Sequence, residues 1–322
     1  MLACSPNCKV GVLTHTVVIG GGGFLGLPLL HCLVTSGRKV TVLGRRAHPQ
    51  VDLPEGCTYV SGGYGNRSIL KEVLAPGCEV IDLAYSTVPK TSFQDPVFDL
   101  LSNLPASVGL LQEADARGVA KVLFVSSGGT VYGPASRLPI DEDHPTEPIS
   151  PYGITKLTIE KYARMFSKHT GLQVVIARPA NAYGETQRHG TGQGFIAAAV
   201  HAALGGLPVQ VFGGEGTIRD YVHVEDVARG LLAVLEQGVN GQCYNIGTGV
   251  GSSNRKVIEL IEQQASALNC SINIDNRPAR SFDVVSNVLD SSKLSRASGW
   301  SPRISLSEGI QRVWDCAVAQ RP

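Results

Sequence analysis

The sequence predicts an α/β fold: a doubly wound parallel sheet with a smaller lobe interleaved toward the C-terminus. Three observations carry this. Short apolar runs of strand length alternate with stretches whose apolar residues recur at helical spacing, the pattern of strands covered by helices on both faces. The 37 glycines follow no three-residue period and cluster instead at turns, most tightly at Gly20-Gly21-Gly22-Gly23. The 322 residues are 43% apolar and 17% charged, enough for one large core plus a companion lobe.

Residues 16–20 read as a buried strand, and residues 24–36 place Phe24, Leu25, Leu29, Leu30 and Leu33 at helical spacing. Gly37 ends that helix, and residues 39–43 are the next strand. Further strands are expected at 79–84, 121–125 and 173–177, with helices at 100–117 and 152–168. After residue 180 the pattern loosens. A glycine-rich loop at 190–194 precedes an apolar helix. A strand at 209–212, helices at 224–236 and 256–267, a polar loop at 277–283 and a short C-terminal segment follow.

Composition excludes several functions. Lys+Arg is 28 and Asp+Glu 27, a formal charge of +1, so the basic excess of a nucleic-acid binder is missing. No run approaches the roughly 18 apolar residues of a membrane span. Leu2-Ala3-Cys4 imitates a lipoprotein signal but lacks the basic and apolar stretch before it, so residues 1–14 are read as a plain extension. The eight cysteines form no C-x-x-C pair and no metal-type spacing. Cys32 and Cys243 are expected to be small core residues, and a reducing cytoplasm is the expected compartment.

Gly20, Gly23 and Gly26 form G-x-x-G-x-x-G between the first strand and helix. Glycine supplies the positive φ of a tight turn and lets a pyrophosphate approach the backbone. The helix N-terminus then turns free N–H groups and a positive dipole end toward the anion. The second strand ends in Gly44-Arg45-Arg46 rather than in an acid. An acid there would bind the 2′-hydroxyl of NAD, whereas arginine suits the 2′-phosphate of NADP. The cofactor is therefore NAD or NADP, with Arg45 and Arg46 favouring NADP. The alternative is a solvated arginine pair, with NAD held by other contacts.

Ser126-Ser127-Gly128-Gly129-Thr130 follows the strand at 121–125, and Tyr152 and Lys156 stand four apart at the start of a helix. A phenol with a pKa of about 10 is a poor base at neutral pH. A nearby ammonium stabilises the phenolate and lowers that value. Lysine can also hold ribose hydroxyls, and a serine or threonine hydroxyl can share the reacting oxygen's proton.

In this order, the motifs resemble the extended short-chain dehydrogenase/reductase superfamily, in its NAD(P)-dependent sugar-nucleotide epimerase/dehydratase branch. The resemblance runs from about 15 to 315. It includes Asn103, the run Arg178-Pro179-Ala180-Asn181-Ala182-Tyr183-Gly184, the run Arg219-Asp220-Tyr221-Val222-His223, and the loop around Arg280. It implies a Rossmann-type domain over 15–180, rejoined by about 215–250, and a mainly substrate-binding lobe over 181–322. It also implies a homodimer built through a helix bundle.

For the cofactor, the resemblance implies Gly20, Gly23, Phe24, Leu25 and Gly26, with Arg45, Arg46, Ala84 and Asn103. Ser126, Tyr152, Lys156 and Pro179 complete that side. For a nucleotide-diphosphate sugar it implies Ser86, Thr87, Ser127, Tyr152 and Asn181, with Arg219 and Arg280 neutralising the diphosphate. The segment 207–212 would bracket the nucleobase. His223 reads as a structural hydrogen-bonding residue. The sugar's C2 and C6 pocket would come from residues 85–90 and the surroundings of Asn287.

The chain departs from the family pattern at Gly128, where a catalytic hydroxyl is usual, so that hydroxyl falls to Ser127 or Thr130. Ser127, nearest the strand end, is favoured. Gly129 and Thr130 stand where 4,6-dehydratases carry Asp-Glu, which argues against dehydration. Gly62-Gly63 lacks the usual adenine-contacting acid. The implied activity is a nucleotide-sugar 4-epimerase acting through a transient 4-keto sugar with bound NAD(P). The alternatives are an NADPH-dependent reductase of a nucleotide-linked 4-keto-6-deoxyhexose and a catalytically silent cofactor-binding module.

Overall fold

The computed structural model describes residues 14–187, 194–266, 271–280 and 284–321. Most of the glycine-rich loop at 190–194, the last residue of the helix expected to 267, the end of the polar loop at 277–283, and Cys4, Cys8 and Cys270 lie outside these.

The first unit is β1 (His15–Ile19), α1 (Gly26–Thr35) and β2 (Lys39–Gly44), with β1 and β2 parallel from His15↔Lys39 to Ile19↔Leu43. There follow β3 (Cys57–Ser61), α2 (Arg67–Val73), β4 (Glu79–Asp82), α3 (Pro89–Gln94), α4 (Pro96–Ala116), β5 (Lys121–Val125), α5 (Pro151–His169) and β6 (Val174–Pro179). The later part holds β7 (Asn181–Tyr183), α6 (Phe195–Leu204), β8 (Val209–Phe212), β9 (Ile218–His223), α7 (Val224–Gln237) and β10 (Cys243–Ile246). It ends with β11 (Gly251–Ser253), α8 (Asn254–Ala265), β12 (Ile274–Arg277), β13 (Ser286–Asn287), α9 (Ser292–Ser298) and α10 (Leu306–Ala319).

Seven parallel strands form the main sheet, in the order β10-β6-β5-β4-β1-β2-β3. The chain builds outward from β1 to β3, then crosses back and builds the other way from β4. The carboxyl ends of β1 and β4 therefore flank the point where the strand order reverses, the crevice in which open α/β sheets bind ligands. Leu29, Leu30 and Leu33 of α1 pack with Leu231 and Val234 of α7 on one face. Leu110 of α4 and Ile159 and Ala163 of α5 pack on the other. A separate core around Val200, Val211, Ile261 and Trp314 holds the smaller layer. There β9 pairs with β7, β11 and β13, and β8 pairs with β12.

Strand β3 and helix α2 escape the periodicity argument. β3 is a half-exposed edge strand with no fully buried residue, and α2 is seven residues long, started by the Asn66 side chain accepting from the Ser68 N–H. Helix α4 begins four residues before the expected 100, because Asp95 caps it at the Phe98 N–H and Pro96 opens its first turn. The short C-terminal segment is instead α9 and α10, and α10 buries Ile310, Val313 and Trp314 at i, i+3 and i+4. Among the described residues, no helix is long and apolar enough to cross a membrane.

Candidate active site

The glycine loop follows β1 directly. Gly20 has φ +79°, and a Cβ on it would lie 3.0 Å from the Ala84 backbone of the neighbouring strand end. A Cβ on Gly26 would fall on the Gly21 carbonyl. Gly22 and Gly23 are exposed, and no side chain caps α1 at Leu25. The loop is a bare backbone cradle at a helix N-terminus, the geometry that admits a pyrophosphate. Gly20, Gly23, Phe24, Leu25 and Gly26 all line a cavity of about 600 Å³.

A second cleft of about 320 Å³ adjoins it, and both include Gly20, Gly23, Leu83 and Tyr85. Arg45, Arg46, His48, Ala84 and Ser86 line this cleft, and none of its lining residues is acidic. The Tyr59 hydroxyl donates to the Arg46 carbonyl at 2.8 Å and lies 2.5 Å from where a Gly44 Cβ would stand. Tyr59 thus fills the space that an acidic side chain at position 44 would need.

Ser150 caps α5 by accepting from the Gly153 N–H, and Pro151 opens its first turn, which sets Tyr152 and Lys156 one turn apart. Lys156 is buried and donates from Nζ to the Val125 carbonyl at 2.8 Å. Its ammonium lies 4.2 Å from the Tyr85 ring centroid and 5.8 Å from that of Tyr152. The Tyr85 and Tyr152 rings meet edge-on at 4.7 Å. Burial, and then the Asp99 carboxylate, hold Tyr152 above the ordinary tyrosine value. Burial pushes Lys156 down, while the Asp82, Glu160 and Asp99 carboxylates oppose that shift.

Both hydroxyl candidates, Ser127 and Thr130, line the cavity. Ser126 donates to Glu160 Oε1 at 2.5 Å, which commits its hydroxyl to the buried Glu160–Arg178 pair. Ser127 is half-buried and lines the cavity, as does Thr130, whose Oγ1 is buried with no hydrogen-bond partner. Gly128 has no room for a side chain: a Cβ would fall on Leu289 Cδ1 and stand 2.9 Å from the Arg178 carbonyl.

On the substrate side, Thr87, Pro179, Asn181, Arg219 and Arg280 line the same cavity as Tyr152. The Arg280 guanidinium sits 4.0 Å above the Phe212 ring, at the end of β8. Arg219 Nη1 donates to the Ile218 carbonyl at 2.8 Å. Asn181 Oδ1 is buried without a partner, and so is Gln187 Oε1 beside it in the lining.

A model of the NAD dependent epimerase/dehydratase family matches residues 16–247. The chain belongs to this family. It is 32% identical over 306 residues to a UDP-glucose 4-epimerase of Mycolicibacterium smegmatis, covering 93% of this chain and 97% of the relative. It is 29% identical to a dTDP-4-dehydro-6-deoxyglucose reductase of Escherichia coli, covering 95% and 96%. Among solved structures, the Thermus thermophilus UDP-glucose 4-epimerase in complex with NAD superposes with a TM-score of 0.87 at 30% identity, covering 96% of this chain and all of that one.

Within this epimerase/dehydratase frame, Asn103 and Ser86 sit differently from the motif reading. Asn103 is fully buried and away from the groove: its Oδ1 accepts from the Ser86 N–H at 2.8 Å and its Nδ2 donates to the Asp99 carbonyl. It shapes the groove wall from behind. Ser86 lines the Arg45 cleft rather than the sugar cavity. The Thr87 hydroxyl is bonded to Asp99. His223 is structural, capping α7 at the Glu225 N–H and meeting Glu185 at 3.2 Å. Tyr85, from the expected 85–90 segment, lines the sugar cavity, whereas Asp99 and Gln187 escaped the motif reading.

Proposed function

We propose that the protein is a nucleotide-sugar 4-epimerase acting on a UDP- or dTDP-hexose. The observation that carries this reading is a pair of adjoining clefts that share Gly20, Gly23, Leu83 and Tyr85, one lined by Arg45 and Arg46 and the other by Tyr152, Lys156, Arg219 and Arg280. The glycine loop fits a dinucleotide: a Cβ at Gly20 or Gly26 would collide with the Ala84 backbone or the Gly21 carbonyl and force the tight turn open, and Gly22 and Gly23 leave bare backbone exposed at the N-terminus of α1. Bound there, the nicotinamide would supply the acceptor and donor for the C4 hydride. Tyr152 takes the proton from the sugar O4, with the Ser127 or Thr130 hydroxyl sharing that oxygen. Lys156 turns its ammonium from the Val125 carbonyl toward the ribose and lowers the Tyr152 phenol as it does so. Arg219 and Arg280 grip the diphosphate, which does not react. The hexose, tethered only through that diphosphate, is free to present either face to the same tyrosine. Asn181 Oδ1 accepts a hydroxyl of the sugar.

The test is incubation with UDP-glucose, UDP-galactose and dTDP-glucose without added cofactor, followed by NMR. Inversion at C4 is expected. Stoichiometric oxidation of NADPH by a 4-keto-6-deoxyhexose nucleotide, with no inversion, would replace this reading by the reductase one, which the arginine pair favours.

The cofactor preference follows from the second cleft. Arg45 and Arg46 bind a 2′-phosphate, and Tyr59 excludes an acid at position 44, so NADP is preferred over NAD. The double variant Arg45→Ala, Arg46→Ala should weaken NADP(H) binding by about tenfold or more while NAD(H) is little changed. Equal losses for both cofactors in a fluorescence titration would remove the preference.

Residues 15–180, together with α7 and β10, form the cofactor-binding domain in this reading, and most of the remainder forms the substrate lobe. The cytoplasm is the proposed compartment, in keeping with the free thiols of Cys32, Cys57, Cys78, Cys243 and Cys316. A homodimer is proposed through α4 and α5. Val97, Phe98 and Leu101 of α4 and Ile154 and Met165 of α5 are exposed, an apolar face of the kind that marks an interface. Sedimentation as a monomer at micromolar concentration would exclude it.

A further inference from the structure

We propose that Asp82 is a positioning residue for Lys156: its buried carboxylate, at the end of β4, keeps the Lys156 ammonium charged beneath the active-site cavity. The inference rests on the reading of Lys156 as the partner of Tyr152.

Asp82 ends the run Glu79–Asp82 in the middle of the sheet, paired with Ile19 on one side and Phe124 on the other. It is 1% exposed. By the two-residue period of a strand it shares a face with Val80, the face covered by α4 and α5. There it lines a small enclosed space with Ser107, Phe124 and Ile159. Lys156 reaches the same Phe124 ring, with Nζ 5.0 Å from its centroid. Asp82 and Lys156 are therefore both neighbours of Phe124, the first by strand register and a shared lining, the second over its ring.

The charges around Lys156 are unequal. Asp99, from α4, accepts hydrogen bonds from Thr87, Thr155 and Tyr85. Glu160, from α5, is committed to Arg178 and Ser126. Asp82 accepts one bond, from the Ala84 N–H at 3.1 Å, and its Oδ2 has no hydrogen-bond partner. The nearby Tyr64 hydroxyl and Ser107 Oγ are also without partners. A carboxylate with a free oxygen in this interior is costly unless a cation compensates it. Lys156 is the cation that acts on it, and burial pushes the Asp82 carboxyl up while Lys156 opposes that shift. The Tyr85 and Tyr152 phenols complete the titratable groups facing Lys156.

The sign of the effect follows. With Asp82 ionised, Lys156 keeps its proton to higher pH than its burial alone allows. Asp82→Asn keeps the shape and the acceptor for Ala84 but removes the charge. Lys156 then loses its proton at lower pH.

The test uses the purified full-length protein carrying ¹³C-labelled lysine. The Lys156 Cε resonance is assigned by its loss in Lys156→Arg. In Asp82→Asn its titration midpoint should move by about one pH unit or more toward acid. The alkaline limb of kcat should move with it while KM for the sugar nucleotide holds. A midpoint within about 0.2 units of the unaltered protein, which is ordinary fitting scatter against the unit-sized charge effect, overturns the proposal whether or not the rate falls. Should Asp82→Asn fail to fold, Asp82→Ser is read the same way. Because the lysine titration needs no substrate, its outcome is separate from that of the epimerase assay.

Discussion

Tyr152→Phe is expected to lower turnover by about a thousandfold or more while leaving cofactor affinity within a few-fold of the unaltered protein. The ring of Tyr152 is held edge-on against Tyr85 at 4.7 Å, a contact phenylalanine keeps. The backbone is held by the bond from the Tyr152 N–H to Ser92 Oγ at 3.2 Å, which is also unaffected. Only the oxygen leaves, and in the proposed mechanism it is the group that takes the proton from the sugar O4. The pH dependence sharpens the point. Burial and Asp99 raise the phenol, so the proposed mechanism relies on the Lys156 ammonium to lower it. Activity should fall as Lys156 deprotonates on the alkaline side. Residual turnover of Tyr152→Phe above about a tenth of the unaltered rate, against the hundredfold or more that a positioned acid–base group contributes, would mean that Ser127 or Thr130 carries the proton alone.

The second large effect is on stability. Arg178 is 1% exposed and makes a two-pronged bond to Glu160, at 2.9 and 2.6 Å, with a third bond from Nη1 to the Tyr132 hydroxyl. Tyr132 in turn donates to Asn245 Oδ1 at 2.7 Å on β10. The pair thus ties α5, β6 and the edge strand into one buried network. Arg178→Met should cost about 3–5 kcal/mol, because it strands the Glu160 charge away from water. Its melting temperature should fall by roughly 10 °C. Adding Glu160→Leu to Arg178→Met should recover most of the loss, since an apolar pair of similar volume is often no worse than a buried ion pair. If the double variant melts no higher than the single one, the loss stems from the Tyr132 bond rather than from the stranded charge.

The parts of the site that were legible in the sequence depend on local spacing. The glycine loop needs a strand, a turn and a helix within about a dozen residues. Tyr152 and Lys156 need one helical turn. Both are properties of contiguous chain, and the structure arranges them as the spacing implies. The placements that differ depend on distant packing. Asn103 lies on the inner side of α4, so its amide meets the Ser86 backbone and not the groove. Asp82, Phe124 and Lys156 come together only because β4 and β5 are neighbours and α5 lies across them, and no local pattern joins them. β3 went unseen because an edge strand with one wet face lacks the apolar run that marked its buried neighbours.

The fit of Gly128 beneath Leu289 limits the order in which this sequence can change. A serine introduced at position 128 meets Leu289, from the segment after β13 that packs in the main-sheet core, and the Arg178 carbonyl from β6. Position 289 would have to shrink and the Arg178 carbonyl to shift as well, and the smaller residue at 289 would open a void in the main-sheet core. Each part of the change is harmful without the others, so a lineage carrying Leu289 is held to glycine at position 128. The glycine and the leucine should therefore change together across descendants of this chain, although they stand 161 positions apart.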